Sequence, residues 1–526
     1  MQVELYDTTL RDGAQMEGMS LSVEDKLKIA AKLDEIGVHY IEGGWPGSNP
    51  KDAEFFVRAR SLPLRHARLA AFGSTRKAGG RADSDPNLRA LLDASTPVCT
   101  VVGKANDRHV REVLETTYEE NLAMIGDSVR YLKEHGRTVF FDAEHFFDGF
   151  FSDREYALAC LRAAATVGAD CLVLCDTNGG TITSRLVEVI KAVQGAIDAP
   201  LGIHVHNDAG LAVANSIAAV ELGVRQVQGC INGYGERCGN ADLCAVIPNL
   251  KLKLGIDVVT DDQLARLTEA SHYVSEVANM APNPYAPYVG SSAFAHKGGL
   301  HTAALVKSEM SYQHVPPEAV GNTRRFLVSE LGGSRGLVQK ARELGIELTR
   351  DQARALQEKI NEMEARGYQY EGAEASFEML IRRSQPGYAP PFELEDFWIV
   401  ERRAAHGSAG REMQAEAMVK VSVDGDLVQT AADGNGPVNA LDAAVRKALV
   451  QFFPGINAVK LVDYKVRIID SASATAASVR VLIESTDGVR FWTTVGASTD
   501  IIEASWLALQ DCLEYWLLKQ AEVAPR

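Results

Sequence analysis

The sequence lacks the features that mark several large classes of protein. Its first residues, MQVELYDTTLRDG, contain no basic stretch followed by an apolar one, so we expect no secretory signal. It contains no run of 18 or more apolar residues, and we therefore expect no membrane-spanning segment. The formal net charge of −16 argues against a nucleic-acid partner, because such partners require cations against their phosphates.

Cysteine pairs and the common phosphate-binding motifs are also missing. None of the eight cysteines belongs to a C-x-x-C pair, and most lie in apolar segments. We interpret them as reduced core residues of a cytoplasmic protein. The chain contains neither G-x-x-x-x-G-K-[ST] nor a dinucleotide-binding fingerprint, which argues against the P-loop and Rossmann classes.

The first half of the chain carries the pattern of an α/β fold. Hydrophobic residues make up 46% of the 526 residues and charged residues 24%, which is typical of a globular protein with a sizeable core. Strand-like runs alternate with amphipathic helical segments, and eight such units in about 250 residues predict a (β/α)8 TIM barrel. An open, doubly wound sheet shares this periodicity and is the alternative. The strand-like runs are Val3–Tyr6, His39–Glu42, Leu69–Phe72, Val98–Val102, Thr138–Asp142, Cys171–Cys175, Gly202–His206 and Gln226–Ile231.

The second half changes character twice. We predict a catalytic barrel over residues 1–260, a helical connector that ends in a proline-rich linker over residues 261–391, and a C-terminal α+β domain over residues 392–526. Within that last domain, Asp424-Gly425 and Asp487-Gly488 begin two similar segments that end in helical patterns, which indicates an internal repeat. Such domains often bind small ligands or pair between subunits, and a purely structural cap is the alternative.

The strongest chemical pattern is His204-Val-His206 at the end of the seventh predicted strand. Residues two apart on a strand point to the same face, so both imidazoles face one point. The loop after the first strand contains Asp12 and opens onto the same rim if the barrel is right. One carboxylate and two imidazoles form a metal-binding set that leaves coordination positions open for a substrate. Asp7 competes for the ligand role, and Asp12 also fits a helix cap or a partner of Arg11.

Other polar residues follow several predicted strands. Glu42 follows the second strand, Glu144 the fifth, Asp176–Gly180 the sixth and Asn232–Arg237 the eighth. Each of these alone is typical of a solvated loop or a salt bridge, whereas together they predict a polar rim. The glycines at 233, 235 and 239 allow the backbone to approach a ligand closely and to form an anion-binding nest.

Two ungapped segments match the signature motifs of one enzyme family. The first is Leu10-Arg11-Asp12-Gly13-x-Gln15, with ten residues between Gln15 and Lys26. The second is Leu201-x-x-His204-x-His206-Asn207-Asp208-x-Gly210. Both resemble the signatures of the α-isopropylmalate, homocitrate and citramalate synthases, and the resemblance covers essentially the whole chain. Residues 42–50 and 142–149 look most like those of the longer type of citramalate synthase.

The resemblance implies a Claisen-type condensation of acetyl-CoA with a keto acid, which is pyruvate in the citramalate synthases, followed by thioester hydrolysis. Arg11 would place a permanent cation beside the developing oxyanion, Thr177 would bind the keto-acid carboxylate, and Glu144 corresponds to an acidic residue of the acceptor pocket with a role in proton transfer. The implied cofactor is a divalent cation, Mg²⁺ or Mn²⁺, with Zn²⁺ and Co²⁺ as alternatives. By family correspondence, the ligands of this cation are Asp12, His204, His206 and Asn240.

The resemblance also implies a homodimer and an allosteric effector. The catalytic His and Tyr of the family match His301 and Tyr312, and in relatives this pair reaches the barrel of the neighbouring subunit. His296 is the alternative choice for the base. The C-terminal domain is implied to sense isoleucine, the end product of the pathway in which citramalate synthases act. No motif identifies the residues that bind CoA.

Several alternatives stay open at this point. Trp45, Phe146 and Phe147 either narrow the acceptor pocket to a small keto acid or pack in the barrel. The nearest functional alternative is an isopropylmalate or homocitrate synthase, which applies the same chemistry to a larger keto acid. More distant alternatives are oxygen chemistry at Fe(II) held by two histidines and a carboxylate, and a catalytically inactive amino-acid-binding regulator.

Overall fold

The computed structural model describes residues 2–297, 301, 304–305, 307–326, 337–338, 340–342, 344–402, 414–469 and 477–523. The chain divides into two compact units, Met1–Phe294 with Gln313–Arg324, and Ala295–Tyr312 with Arg325–Arg526. The predicted domain boundaries at residues 260 and 391 stay a prediction. Among the described residues, no helix combines the length and the apolar character that a membrane span requires.

The first unit is built on a closed barrel of eight strands that follow one another in sequence order. β8 pairs in parallel with β1, with Glu4 opposite Gln226 and Asp7 opposite Gly229. This closure confirms the predicted TIM barrel, and the open-sheet alternative is wrong because an open sheet has two unpaired edges. The strands are β1 (Glu4–Asp7), β2 (Tyr40–Gly44), β3 (Arg68–Ser74), β4 (Val98–Lys104), β5 (Thr138–Glu144), β6 (Cys171–Asp176), β7 (Leu201–Val205) and β8 (Gln226–Gly229).

Helices cover the outside of the barrel, and their first turns carry clear start signals. At the first helix, the Ser22 hydroxyl accepts a hydrogen bond from the Asp25 N–H at 3.2 Å, and the Asp25 carboxylate accepts one from the Ser22 N–H at 2.9 Å. Pro50 and Pro86 begin the next two helices, where a missing N–H leaves no bond unmade. The helices are α1 (Val23–Glu35), α2 (Pro50–Ala59), α3 (Pro86–Asp93), α4 (Asp107–Glu112), α5 (Tyr118–Glu134), α6 (Phe146–Ser152), α7 (Arg154–Thr166), α8 (Thr183–Ala196), α9 (Ala212–Glu221), α10 (Leu243–Pro248), α11 (Asp261–Leu264) and α12 (Leu267–Val277).

Side chains fill the interior of the barrel. The rings of Tyr6, Tyr40 and Phe140 contact one another with centroids 5.1 to 6.0 Å apart. They form one buried cluster with small and β-branched residues from the neighbouring strands, among them Val98 and Val173. Because this interior is packed, groups that act on a ligand must lie at the rim, where the loops after the strands meet.

The second unit contains connector elements and a C-terminal α+β domain. In that domain, each of two three-stranded antiparallel sheets is followed by a helix. The first hairpin turns at Asp424 and Gly425, which have positive φ angles of 51° and 89°, and the second turns at Gly488 with a φ of 86°. This arrangement confirms the predicted α+β domain and its repeat. The elements are β9 (Ala295–His296), β10 (Arg325–Phe326), α13 (Arg350–Ala365), α14 (Glu374–Arg383), β11 (Glu393–Arg402), β12 (Gln414–Val423), β13 (Asp426–Gly434), α15 (Pro437–Leu449), β14 (Lys460–Ile468), β15 (Val479–Thr486), β16 (Phe491–Ser498) and α16 (Ile501–Val523).

Candidate active site and metal centre

A cavity of about 380 Å³ lies where the strand ends of the barrel meet. Its walls come from residues at or after the carboxyl ends of all eight strands, which is where barrel enzymes keep their active sites. The residues that line it include Arg11, Asp12, Trp45, Phe72, Ser74, Lys104, Asp142, Glu144, Thr177, His204, His206 and Glu236.

Asp12, His204 and His206 converge at this cavity. The Nε2 atoms of the two histidines are 3.3 Å apart, and Asp12 Oδ2 lies 3.3 Å from His204 Nε2 and 3.7 Å from His206 Nε2. All three side chains are buried. The two imidazoles share a face because they are two residues apart at the end of β7, as the sequence predicts. Within the described part of the chain, this trio is the one group of His, Cys, Asp or Glu residues with metal-binding geometry.

The donor atoms of this cluster fit a divalent cation. Asp12 Oδ1 and Asn240 Oδ1 are buried and have no hydrogen-bond partner among the described residues. A backbone bridge between His206 and Asn240 places Asn240 next to the trio. Burial, together with the nearby His204, lowers the pKa of His206 to about 4, so its imidazole is neutral, as a metal ligand requires. The two Nε2 atoms and the Asp12 carboxylate converge on one point, so a divalent cation placed there would meet all three donors at once.

Gln228 orients His204 from the side opposite the cluster. Its Oε1 lies 3.0 Å from His204 Nδ1, and its Nε2 donates to Asp142 Oδ1 at 3.2 Å. Because an amide oxygen only accepts hydrogen bonds, His204 Nδ1 is the donor of this bond, and Nε2 is the nitrogen that faces Asp12 and would bind a metal ion. Such outer contacts fix the ring orientation and strengthen a histidine as a metal ligand.

Arg11 is held against the cluster by two contacts. Its Nε donates to Glu42 Oε2 at 2.6 Å, and its guanidinium lies over the Phe72 ring, 3.8 Å from the centroid. Glu42 is fully buried, and its other oxygen accepts a hydrogen bond from the Tyr6 hydroxyl at 2.7 Å. Burial lowers the pKa of Arg11, but the carboxylates of Glu42 and Asp12 raise it above its ordinary value, so Arg11 is a permanent, fixed cation beside the cluster.

Thr177 follows β6 and lines the cavity. Its Oγ1 accepts a hydrogen bond from the backbone N–H of His145 at 2.8 Å. His145 adopts the left-handed conformation, with φ 56° and ψ 32°, which is uncommon outside glycine and is found at functional sites. In this hydrogen bond the Thr177 oxygen is the acceptor. The proton of the hydroxyl is not used, so it can be donated to a carboxylate in the cavity.

Glu144 ends β5 and lies half-buried in the cavity wall. Its carboxylate forms an ion pair with Lys104, which ends the neighbouring strand β4. Sequence reasoning identified Glu144 but missed Lys104. The available signal was its position at the carboxyl end of a predicted strand, next to the run Val98–Val102.

Lys26, the last residue of the first signature, does not line the cavity. Its Nζ lies 2.5 Å from Asp52 Oδ1 and donates to Gly43 O at 3.1 Å, and its side chain is 3% exposed. Asp52 Oδ2 accepts a hydrogen bond from the Trp45 N–H at 2.9 Å. The pair therefore anchors the end of β2 between α1 and α2, and this signature residue has a structural role.

His301 and Tyr312 belong to the second unit. Their rings stack with centroids 4.1 Å apart and an angle of 25° between the ring planes. Both side chains are exposed, Tyr312 by 48%. The two residues thus form an exposed pair, and their assignment as catalytic residues stays a prediction.

The three bulky aromatic residues of the sequence analysis have different positions. Trp45 lines the cavity, and its indole N–H donates to Asn87 Oδ1 at 2.7 Å. Phe146 and Phe147 are fully buried and belong to the hydrophobic core. Trp45 therefore fits the pocket interpretation, whereas Phe146 and Phe147 fit the packing interpretation.

The glycine-rich loop after β8 brings Asn240 to the cluster. Gly239 has a φ of 84°, and its carbonyl accepts a hydrogen bond from the Asn207 N–H at 2.8 Å. A Cβ atom at residue 239 would lie 2.0 Å from the carbonyl oxygen of Gly233. Only glycine fits this position without a shift of the loop.

We expect Gly239→Ala to weaken Mn²⁺ binding by about tenfold or more, because strain of 1–3 kcal/mol would move Asn240. Titration calorimetry with Mn²⁺ measures this effect. Gly210→Ala is the matched control, since Gly210 also has a positive φ, of 71°, but no neighbouring atom lies within 4 Å of the place that a Cβ would occupy there. Equal losses in the two variants would contradict the prediction.

Three family models match successive parts of the chain. Residues 2–274 match the HMGL-like family, residues 288–368 the homocitrate synthase post-HMGL domain-like family, and residues 371–517 the LeuA allosteric (dimerisation) domain. The (R)-citramalate synthase of Geobacter sulfurreducens is 52% identical over 523 residues, which cover 99% of this chain and 98% of that protein. The chain belongs to the citramalate synthase family.

Sequence identity to other members of the wider family varies. The (R)-citramalate synthase of Aquifex aeolicus is 51% identical over 524 residues, which cover 99% of both chains. A probable 2-isopropylmalate synthase of Methanopyrus kandleri is 34% identical over 508 residues, which cover 96% of both chains. The similarity to the citramalate synthase family thus extends along the barrel, the connector and the C-terminal domain.

Proposed function

We propose that this chain is a citramalate synthase. It would join the methyl carbon of acetyl-CoA to the keto carbon of pyruvate and then hydrolyse the thioester, which releases citramalate and CoA. The observation that carries this proposal is the buried trio of Asp12, His204 and His206 beside the fixed cation of Arg11, at one cavity of a chain that matches (R)-citramalate synthases along its whole length.

The cavity residues support this chemistry. Asp12, His204, His206 and Asn240 would hold a divalent cation, for which we propose Mg²⁺ or Mn²⁺, with Zn²⁺ and Co²⁺ as alternatives. When bound, such an ion polarises the keto carbonyl and offsets the charge that develops on its oxygen. The Arg11 guanidinium faces the same region and adds a second positive charge. The hydroxyl of Thr177 would donate to the pyruvate carboxylate.

We assign proton transfer to three residues. His301, assisted by Tyr312, would take a proton from the acetyl methyl group, so that the resulting carbanion attacks the keto carbon. Glu144 would act in the proton transfers of the acceptor pocket. We propose that His301 and Tyr312 act at the barrel of a neighbouring subunit in a homodimer, and the match to the LeuA allosteric (dimerisation) domain supports this pairing.

The release of CoA thiol with three keto acids tests the proposal. We expect kcat/KM with pyruvate to exceed that with 2-ketoisovalerate or 2-ketoglutarate by about tenfold or more, because a pocket discriminates each methyl-sized group by 1–3 kcal/mol. A preference for either larger keto acid would assign the chain to isopropylmalate or homocitrate synthesis. Turnover that resists chelation would contradict the metal assignment, and turnover that requires oxygen would favour Fe(II) chemistry.

We further propose isoleucine as an allosteric effector at the C-terminal domain. The match of residues 371–517 to a domain described as allosteric supports a regulatory site there. Isoleucine should inhibit the full-length enzyme, and a chain shortened after Pro391 should lose this inhibition. Inhibition that survives the deletion would place the effector site elsewhere.

A further inference from the structure

Lys104 and Glu144 end two neighbouring strands and lie opposite each other in the register of β4 and β5. Their side chains form an ion pair in the cavity wall, with exposed fractions of 21% and 25%. Groups placed on the strands of a barrel are held more rigidly than groups placed on loops. The register of the barrel therefore determines the approach of this ammonium to this carboxylate.

The backbone of the pair is fixed from both sides. The Ala105 N–H donates to the carbonyl of Glu144 at 3.0 Å, which extends the strand pairing by one residue. The side-chain amide of Asn121 donates to the carbonyl of Lys104 at 2.9 Å and to the hydroxyl of Tyr156 at 2.8 Å. Lys104 thus differs from a surface lysine, because its backbone is anchored where its side chain meets Glu144.

We infer that Lys104 is a positioning residue that holds the Glu144 carboxylate in its working orientation. The inference rests on the proposed function, in which Glu144 takes part in proton transfer. Two histidines also face this pair. His145 Nε2 lies 4.0 Å from Glu144 Oε1, and the His109 ring packs against His145 with centroids 4.0 Å apart and an angle of 36° between the ring planes. Neither imidazole approaches Glu144 as closely as the ammonium does, so Lys104 determines where the carboxylate points.

A lysine in a cavity can instead bind an anionic group of a substrate directly. The structure favours the positioning role because the ammonium is already engaged by the Glu144 carboxylate. The two roles differ in kinetics. Loss of a positioning residue lowers kcat through its partner, whereas loss of a binding cation raises KM for the anionic substrate.

A double-mutant cycle on the full-length enzyme tests the inference. Lys104→Met keeps the length of the side chain without its charge, and we expect it to lower kcat by about 10-fold to 100-fold with both KM values changed less than about threefold. Lys104→Arg should keep kcat within about fivefold of the wild type. In a Glu144→Gln background, Lys104→Met should lower kcat by no more than about twofold further. Arg108→Met, at an exposed cation on α4, is the control and should have no effect.

Three results would overturn the inference. The first is an equal loss of kcat when Lys104→Met is made in the wild type and in the Glu144→Gln background. The second is a rise in either KM of Lys104→Met with kcat unchanged. The third is a loss of kcat in Lys104→Arg as large as in Lys104→Met, together with a lowered melting temperature. The cycle uses the keto acid that the wild type turns over best. A wrong assignment of pyruvate would therefore change the substrate of the assay and leave the comparison between backgrounds intact.

Discussion

Replacing His204 with alanine is expected to lower kcat by on the order of a thousandfold, because the loss of a metal that supplies about 4 kcal/mol of transition-state stabilisation changes the rate by that factor. The same variant should lose tight Mn²⁺ binding. His204 Nε2 lies 3.3 Å from both Asp12 Oδ2 and His206 Nε2, so its removal leaves two of the three buried donors of the trio. Thiol release and titration calorimetry measure the two effects.

Two further variants test whether this result is specific to His204: one should lose part of the metal affinity, and the other should lose none. Gln228→Leu removes the group that orients His204 and leaves all the ligands in place, so we expect an intermediate loss of metal affinity of about 10-fold to 100-fold. His135→Ala changes an exposed histidine of the surface and should leave both measurements unchanged. Mn²⁺ binding that survives in His204→Ala would show that the cation binds elsewhere.

Arg11→Gln is expected to reduce both activity and stability. The charge beside the reacting oxygen disappears, and loss of one such group lowers kcat by about 100-fold to 1000-fold. The fully buried Glu42 also loses its charged partner, and an unpaired buried charge destabilises a protein by about 3–5 kcal/mol. Thiol release and urea unfolding monitored by circular dichroism measure the two losses.

The double variant Arg11→Gln/Glu42→Gln separates these effects. With both charges removed, the amide oxygen introduced by Glu42→Gln would still accept the hydrogen bond that the Tyr6 hydroxyl donates in the wild type at 2.7 Å. We therefore expect most of the lost stability to return while kcat stays low. Recovery of activity in the double variant would mean that Arg11 acts only as a partner of Glu42.

The metal trio could be predicted from the sequence because two simple rules locate it. The alternation of strands and helices predicts the barrel, and His204 and His206 lie two residues apart at the end of one of its strands. Asp12 follows another strand, and all strand ends of a parallel barrel meet at one rim. These rules require no knowledge of side-chain contacts, and the structure confirms the barrel from which they start.

Residues that act through a neighbour could not be predicted in this way. Gln228 lies inside β8 and Lys104 ends β4, and neither belongs to a motif. Their roles follow from the register of adjacent strands, which sequence periodicity does not determine. Lys26 belongs to a signature, but its contacts with Asp52 and Gly43 are structural, so membership of a motif does not by itself indicate a place in the active site.

The closure of the barrel has a consequence for how this chain folds. Asp12 follows the first strand, whereas His204 and His206 come almost two hundred residues later, and the pairing of β8 with β1 completes the ring that brings them together. Contacts between such distant parts of a chain form late and slowly. A metal ion held by Asp12, His204 and His206 would therefore find its site only after the ring has closed, and it would stabilise only molecules that have reached that stage.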